Sequence, residues 1–406
     1  MSCKTIWIVC QYAGSKYHGM GFRQYYLGRE YVKNGYETYI MSGSFSHQFA
    51  KLPQVNRLCT HETIDGINYI WVKIPRYKKS KSLGRALSMI IFLHRLLRMG
   101  HKSLRKPDVI LVSSPSPLPI LIASRWAKKY NAELIFEVRD IWPLTLIELG
   151  SFSRYNPLIM CMQFCEKHAY KKADFVVSVL PKAKEHMMSK GMREDKFHYI
   201  PNGISLDETE ETEPLDKEIL HKIPKQKFIV GYTGTLGIAN ALEYFIEAAR
   251  ILKDCRDILF VLVGDGGEKE RLVNIALSLD NVLFLDAVTK SQIPNILKQF
   301  DVCFISLKKE SLFRFGISPN KLFDYMLAGK PVLFAVESGN DPVREANCGI
   351  SVEAENARAI VDAVLKFFSM SKKERDILGN NGKRYMIKSH TYEILSKKYI
   401  ELFEKA

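Results

Sequence analysis

What this 406-residue chain lacks already narrows its classes. No apolar run approaches the ~20 residues that a membrane-crossing helix requires. Eight cysteines are scattered without paired spacing, as expected of reduced thiols rather than a disulfide framework. Cys161 and Cys165 stand one helical turn apart, but no histidines cluster near them, so a buried helix face is expected there and a metal site is not. No Asp-x-Asp pair offers a metal clamp for a diphosphate, and there is neither a P-loop nor a Gly-x-Ser-x-Gly elbow. Internal repeats and low-complexity tracts are also missing. The opening Lys4–Cys10 stretch is too short for a signal peptide and has no small-residue cleavage site, so a cytoplasmic protein is expected.

What is present describes a globular, two-domain chain. Apolar content of 47% with 25% charged residues suits packed cores, and the length favours two of them. The net charge of +15 is unevenly placed. Residues 1–200 carry 31 Lys+Arg against 14 Asp+Glu, a balance of +17, whereas residues 201–406 carry 28 against 30, a balance of −2. A uniform solubility device would not be confined to one half. The basic half implies a polyanionic partner, either nucleic acid or an anionic membrane.

Short buried-type strands alternate with helix-length segments along the whole chain. Strands are predicted at Thr5–Gln11, Tyr36–Ser42, Ile67–Ile74, Asp108–Ser113, Leu134–Val138, Phe175–Leu180 and His198–Ile204. Helices are predicted from about Phe22 to Asn34, at Ser82–Arg98, Leu118–Tyr130 and Asn156–Lys172. The acidic, proline-containing stretch Asp207–Lys227 interrupts the pattern. Strands then resume at Phe228–Tyr232, Leu259–Val263, Val282–Leu285, Val302–Ser306, Val332–Val336 and Ile350–Val352. The fold class expected is α/β, as two doubly wound Rossmann-like domains facing across a cleft, with ligands outside the carboxyl ends of the strands. The boundaries drawn are 1–205, 206–385, and a helix over 386–406 that crosses back to the first domain.

The most informative stretch is Ser318-Pro319-Asn320-Lys321-Leu322-Phe323-Asp324-Tyr325-Met326-Leu327-Ala328-Gly329-Lys330-Pro331. Ser318 is the expected cap, Pro319 the first helical residue, Gly329 the left-handed closing position, and Pro331 the stop. Leu322, Phe323, Met326 and Leu327 form an apolar face and leave Lys321 and Asp324 together on the other. Free amides and a lysine in a first helical turn are a seat for phosphate, and the acid one turn on can take a sugar hydroxyl. Two glycine loops precede this helix, Thr233-Gly234-Thr235-Leu236-Gly237 and Gly264-Asp265-Gly266-Gly267, both suited to diphosphate oxygens. Near the amino terminus, Gly14, Gly19 and Gly21 follow the first strand, without the G-x-G-x-x-G spacing of dinucleotide sites, and His18 beside them can touch an acceptor. Glu137-Val138-Arg139-Asp140-Ile141-Trp142-Pro143 places charges at a strand's carboxyl end, where Asp140 can orient an acceptor hydroxyl, pair with Arg139, or serve a helix start.

These motifs, together with Ile200-Pro201-Asn202-Gly203-Ile204, make the chain resemble glycosyltransferase family 4 over nearly its full length. The detail is most similar to bacterial enzymes of the O-antigen and capsule type, in the N-acetylfucosamine-transferase-like branch. The resemblance implies a GT-B fold, retention at the anomeric carbon, and no metal or other cofactor. It implies a nucleotide-sugar donor, with uridine as the family's expectation, and a lipid-linked saccharide acceptor in surface-polysaccharide synthesis. A nucleotide-sugar epimerase of the same architecture is the alternative, and a nucleic-acid binder is disfavoured because it would leave the phosphate loops idle. Of the family's Glu-x7-Glu pair, Asp324 matches the second, ribose-binding acid, while the first falls on Gly316, where backbone amides of Gly316, Ile317 and Ser318 are the expected replacement. The family's Arg and Lys on the diphosphate have no match after the Gly234 loop, so Lys321 and Arg314 are the substitutes. Arg139 stands where the family often has histidine. The implied site is therefore His18, Arg139, Asp140 and Lys321 for catalysis, with Gly19, Thr233, Gly234, Thr235, Gly264, Gly266, Arg314, Gly316, Ile317, Ser318, Pro319, Asn320, Leu322 and Asp324 around the donor.

The helix Ser82–Arg98 adds a surface expectation. It carries Leu83, Leu87, Ile90, Leu93 and Leu97 at helical spacing, with Tyr77-Lys78-Lys79-Ser80-Lys81 before it and His101-Lys102-Ser103-Leu104-Arg105-Lys106 after it. Such a segment fits peripheral attachment to the inner, anionic face of a membrane. Met89, Ile91, Phe92 and Leu96 also suit a buried crossover helix, so the helix is expected to be partly packed with its flanks touching lipid.

Overall fold

The computed structural model describes residues 4–19, 22–78, 82–101, 104–207 and 212–405. Gly21 of the first glycine loop, Lys79–Lys81 and Lys102–Ser103 of the basic flanks, and 208–211 of the acidic stretch lie outside the described residues. The chain divides into two compact units, Met1–Asn202 with Tyr392–Ala406, and Gly203–Thr391.

In the first unit, β1 (Thr5–Val9), β2 (Glu37–Gly43), β3 (Cys59–Ile64), β4 (Ile67–Val72), β5 (Val109–Ser113), β6 (Glu133–Val138), β7 (Phe175–Ser178) and β8 (Phe197–Tyr199) form one sheet. Its order is β3-β4-β2-β1-β5-β6-β7-β8. All pairs are parallel except β3 with β4, an antiparallel edge hairpin. Ile6, Trp7, Ile8 and Val9 are at most 1% exposed, which is why the strand reads as a continuous apolar run: helices cover both faces. The predicted strand over His198–Ile204 shortens to β8, because Arg23 draws on the carbonyls of Ile200 and Pro201. The helix Tyr392–Glu404 packs Leu395, Tyr399 and Phe403 into this unit's core.

The second unit contains β9 (Phe228–Thr233), β10 (Ile258–Val263), β11 (Val282–Leu285), β12 (Val302–Ser306), β13 (Val332–Ala335) and β14 (Gly349–Val352). All are parallel, in the order β11-β10-β9-β12-β13-β14. Alternate residues of β9 feed two cores: Phe228, Val230 and Tyr232 face one, Ile229 the other. Strand order reverses between β9 and β12, and a doubly wound sheet opens a crevice at such a point. The loops leaving these two strands meet there, with the Lys308 amide donating to Ala239 and the Ser306 hydroxyl to Asn240. The helix Asn320–Leu327 follows β12 and starts beside that point.

Candidate functional site

The glycine loops of the second unit are built against each other. A Cβ on Gly264 would lie 1.9 Å from the Gly234 carbonyl oxygen, and one on Gly266 would lie 2.3 Å from that of Leu236. These glycines are therefore required by loop-on-loop packing. The expectation that the whole Gly234–Gly237 backbone offers amides to a diphosphate is corrected: the Gly234 amide donates to Val263 and the Leu236 amide to Asp265. The Thr235 and Gly237 amides have no acceptor among the described residues.

The Asn320–Leu327 helix is capped by Pro319, not Ser318, and no side chain bonds its first amides. Proline fixes the entry backbone but brings no acceptor, so the Asn320 and Lys321 amides stay open at the helix start, among the described residues. Gly329 closes the helix with φ +68°, as predicted. Tyr325, fully buried, ties the helix to β9: its hydroxyl takes the Thr233 amide at 2.8 Å. Leu322 is buried beneath the same turn.

Lys321 and Asp324 leave the helix toward different neighbours. The Lys321 ammonium donates to the Tyr232 hydroxyl at 2.7 Å and to Asn240 Oδ1 at 3.0 Å, and lies 4.4 Å from the Tyr232 ring centroid. Tyr232 and Asn240 both donate in turn to the Thr235 carbonyl. The ammonium also borders Gly234, where an added Cβ would sit 3.2 Å from it. Every partner is neutral, and no carboxylate pairs with Lys321 among the described residues. Burial without a counter-charge pulls its pKa down to about 8. Asp324 instead accepts from Lys290, at 2.7 Å on one oxygen and 2.8 Å on the other.

Gly316 has φ +100°, a conformation that an acidic side chain would strain. Two of the three amides expected to replace that missing acid are already used: Gly316 donates to Phe313 O, and Ile317 donates to Asn340 Oδ1, whose amide returns a bond to Ile317 O. Arg314 folds back onto its own 3-10 turn, donating to Ser311 O and lying 4.2 Å from the Phe315 ring centroid.

In the first unit, Glu137 is fully buried and accepts from Arg23, Gln24, Ser113 and Tyr399. Arg23 and Arg139 hold its carboxyl below the usual range against the opposing effect of burial. Arg23 also binds the carbonyls of Ile200 and Pro201. It was not singled out in the sequence, where it is merely the first residue of a helix. Arg139 turns to Gln24 Oε1, at 3.0 Å. Asp140 serves the following turn: Trp142 Nε1 donates to one oxygen and the Thr145 hydroxyl to the other, while burial raises its pKa. His18 is 5% exposed, bonded through Nδ1 to Ser15 and set 4.7 Å from the Trp71 ring. Gly19 is fixed by Ala50, whose amide would lie 2.9 Å from an added Cβ. Beside His18, a cavity of about 680 Å³ runs along β3, lined also by Tyr17, Lys51, His61 and Glu62.

The Leu83–Arg98 helix resolves the surface question in part. Met89, Phe92 and Leu96 are buried, while Leu83, Leu87, Ile90 and Leu97 form an exposed stripe, 91% for Leu83 and about half for the others. The Ile120–Tyr130 helix packs beside it and beside Pro157–Lys172, from which Met160 and Phe164 also protrude. On that last helix Cys165 is buried but Cys161 is exposed, which corrects the expectation of a wholly buried thiol face. Among the described residues, no helix is long and apolar enough to cross a membrane.

Known proteins share this fold. Residues 216–385 match the family model described as glycosyl transferases group 1, and residues 17–208 match that of glycosyltransferase family 4. The Escherichia coli K12 protein WcaI, provisionally assigned as a colanic acid biosynthesis glycosyl transferase, is 26% identical over 278 residues, 66% of this chain and 68% of that protein. Sucrose-phosphate synthase from Thermosynechococcus elongatus superposes with a TM-score of 0.74 at 16% identity, covering 99% of this chain and 98% of that one. Anabaena HepE, solved with UDP and glucose, gives 0.63 at 14% identity with full coverage of both chains (100% each). The chain belongs to glycosyltransferase family 4 and has the GT-B fold.

Proposed function

We propose that this chain is a retaining, metal-independent transferase that moves a sugar from a nucleotide-sugar donor, UDP-linked by family expectation, to a lipid-linked saccharide in surface-polysaccharide synthesis. The observation that carries this reading is Lys321, a largely buried ammonium with neutral partners only, beside open amides at a helix start. A diphosphate supplies the missing counter-charge. Charge grows on the leaving phosphate as the glycosidic bond breaks, and the acceptor hydroxyl attacks from the same face. Stabilisation of that charge by Lys321, the Asn320 and Lys321 amides and the Thr235 and Gly237 amides takes the place of a metal ion. Asp324 receives the ribose hydroxyls, and Arg314 is a second cation for the phosphates. On the acceptor side, His18, Arg139 and Asp140 are the proposed residues, with Asp140 shaping the turn that carries Trp142.

Attachment to an anionic leaflet is part of the same proposal. The stripe Leu83, Leu87, Ile90 and Leu97 is an exposed apolar surface, Met160 and Phe164 are exposed two helices away, and Arg98, Lys128 and Lys129 are exposed in the last turns of the Leu83–Arg98 and Ile120–Tyr130 helices. Inserted aliphatic side chains and basic neighbours are complementary to lipid tails and anionic headgroups, where a lipid-linked acceptor resides.

The test combines calorimetric titration with UDP and turnover on a panel of UDP-sugars. UDP is expected to bind, and Lys321→Ala is expected to lower turnover ~100-fold or more by loss of a charge-stabilising donor. Absence of UDP binding, or near-normal turnover of the variant at saturating donor, refutes the assignment.

A further inference from the structure

Lys290, which pairs with Asp324, lies outside every motif of the sequence. Lys290 opens a 3-10 turn, Lys290–Gln292, in the loop that leaves the carboxyl end of β11. That turn is firmly braced. Thr289 and Gln292 form a reciprocal capping box, Gln292 donates to Pro214 O, and Asn295 donates to Glu213 O. The Glu213 amide returns a bond to Ser291 O. The ammonium is thus delivered from a fixed base, and it bonds both oxygens of Asp324 at 2.7 and 2.8 Å.

We propose that Lys290 is a positioning residue for the nucleotide: it sets the Asp324 carboxylate so that its two remaining acceptor sites meet the ribose cis-diol of a nucleoside diphosphate. This rests on the donor-site reading of the second unit. An ionised carboxylate has about four acceptor sites, two on each oxygen. Lys290 occupies one on each oxygen and leaves one on each. Two adjacent hydroxyls of a ribose are matched donors for that pair, so cation and diol bind together without competition. Stability does not account for the contact. The Lys290 side chain is 49% exposed, and exposed ion pairs contribute ~0–1 kcal/mol. Asp324 is also shorter by one methylene than the family's glutamate, so its reach depends more on where its oxygens are held.

The experiment compares wild type, Lys290→Met, Lys290→Arg and Asp324→Asn for binding of UDP, 2′-deoxy-UDP and 3′-deoxy-UDP by calorimetry, with melting temperatures alongside. Lys290→Met should weaken UDP ~10-fold, and Lys290→Arg should recover most of that loss, as the orienting charge is restored. Wild type should lose ~10-fold on removal of a ribose hydroxyl, and that penalty should fall to ~2-fold or less in Lys290→Met, the coupling expected of groups acting through one carboxylate. In steady-state assays the loss should fall on KM for the donor more than on kcat. An unchanged UDP affinity in Lys290→Met, or a deoxy penalty equal to that of wild type, overturns the role of Lys290 while leaving the donor site intact. Equal destabilisation of both lysine variants, seen as a melting temperature lowered by several degrees, also overturns it. Failure of wild type to bind UDP, ADP or GDP removes the donor-site reading and this inference with it.

Discussion

Replacement of Lys321 by Met should remove function while leaving the fold about as stable as before at neutral pH. The side chains are similar in length, and the change deletes the ammonium alone. Burial lowers the lysine pKa from 10.5 to about 8. That displacement corresponds to about 3 kcal/mol against the charged form, at about 1.4 kcal/mol per unit. Two hydrogen bonds from the charged ammonium, to Tyr232 and Asn240, are lost in exchange, at about 1.5 kcal/mol each. The two nearly cancel, so the melting temperature of the variant at pH 7 should stay within ~2–4 °C of wild type. The burial cost has its own signature in pH. The unfolded chain holds this proton more tightly than the folded one, so wild-type stability rises with pH between about 8 and 10.5. The variant should therefore fall behind wild type across that window, by about 3 kcal/mol at its upper end. Differential scanning calorimetry at pH 7 and pH 9.5, with donor turnover measured in parallel, reads both effects. A variant destabilised at pH 7 by more than about 2 kcal/mol would show that the ammonium is a structural tie, and retained turnover would show that no phosphate meets it.

UDP affinity should be flat below pH 8 and decline about tenfold per pH unit above it, because binding requires the protonated Lys321; calorimetric titrations across pH 6.5–9.5 check this, and the slope should disappear in Lys321→Met. Arg23→Met should cost about 3–5 kcal/mol in chemical denaturation, since it strands the fully buried Glu137 carboxylate. Adding Glu137→Gln should restore part of that loss, and a strictly additive double variant would refute the pairing. Leu87→Glu with Ile90→Glu should reduce sedimentation with phosphatidylglycerol vesicles ~10-fold or more, while melting is unchanged, because both side chains already face solvent.

Features carried by local chemistry were legible in the sequence, and features carried by distant partners were not. The parallel strands could be read because burial on both faces demands continuous runs such as Val302–Ser306, and Gly329 because only a left-handed residue closes that helix. β3 was missed because Cys-Thr-His-Glu-Thr-Ile is a half-exposed edge strand whose polar members face water. At the site, the sequence marked Lys321 and Asp324 as neighbours on one helix face, which they are. It could not show that one ends among neutral oxygens and the other against Lys290, since those partners lie 81 to 89 and 34 residues away. The same reasoning explains the surface helix. An apolar residue at nearly every position defines no inward face, so periodicity could not tell the Met89–Phe92–Leu96 stripe from Leu83–Leu87–Ile90–Leu97; packing against the sheet decides it. A buried lysine whose partners are all neutral is costly to the fold it sits in, and helical propensity or core packing gives no reason to keep it. The charge is explained only by something that arrives later, and that is why Lys321 weighs more in assigning this site than the glycine loops, whose missing side chains the fold itself requires.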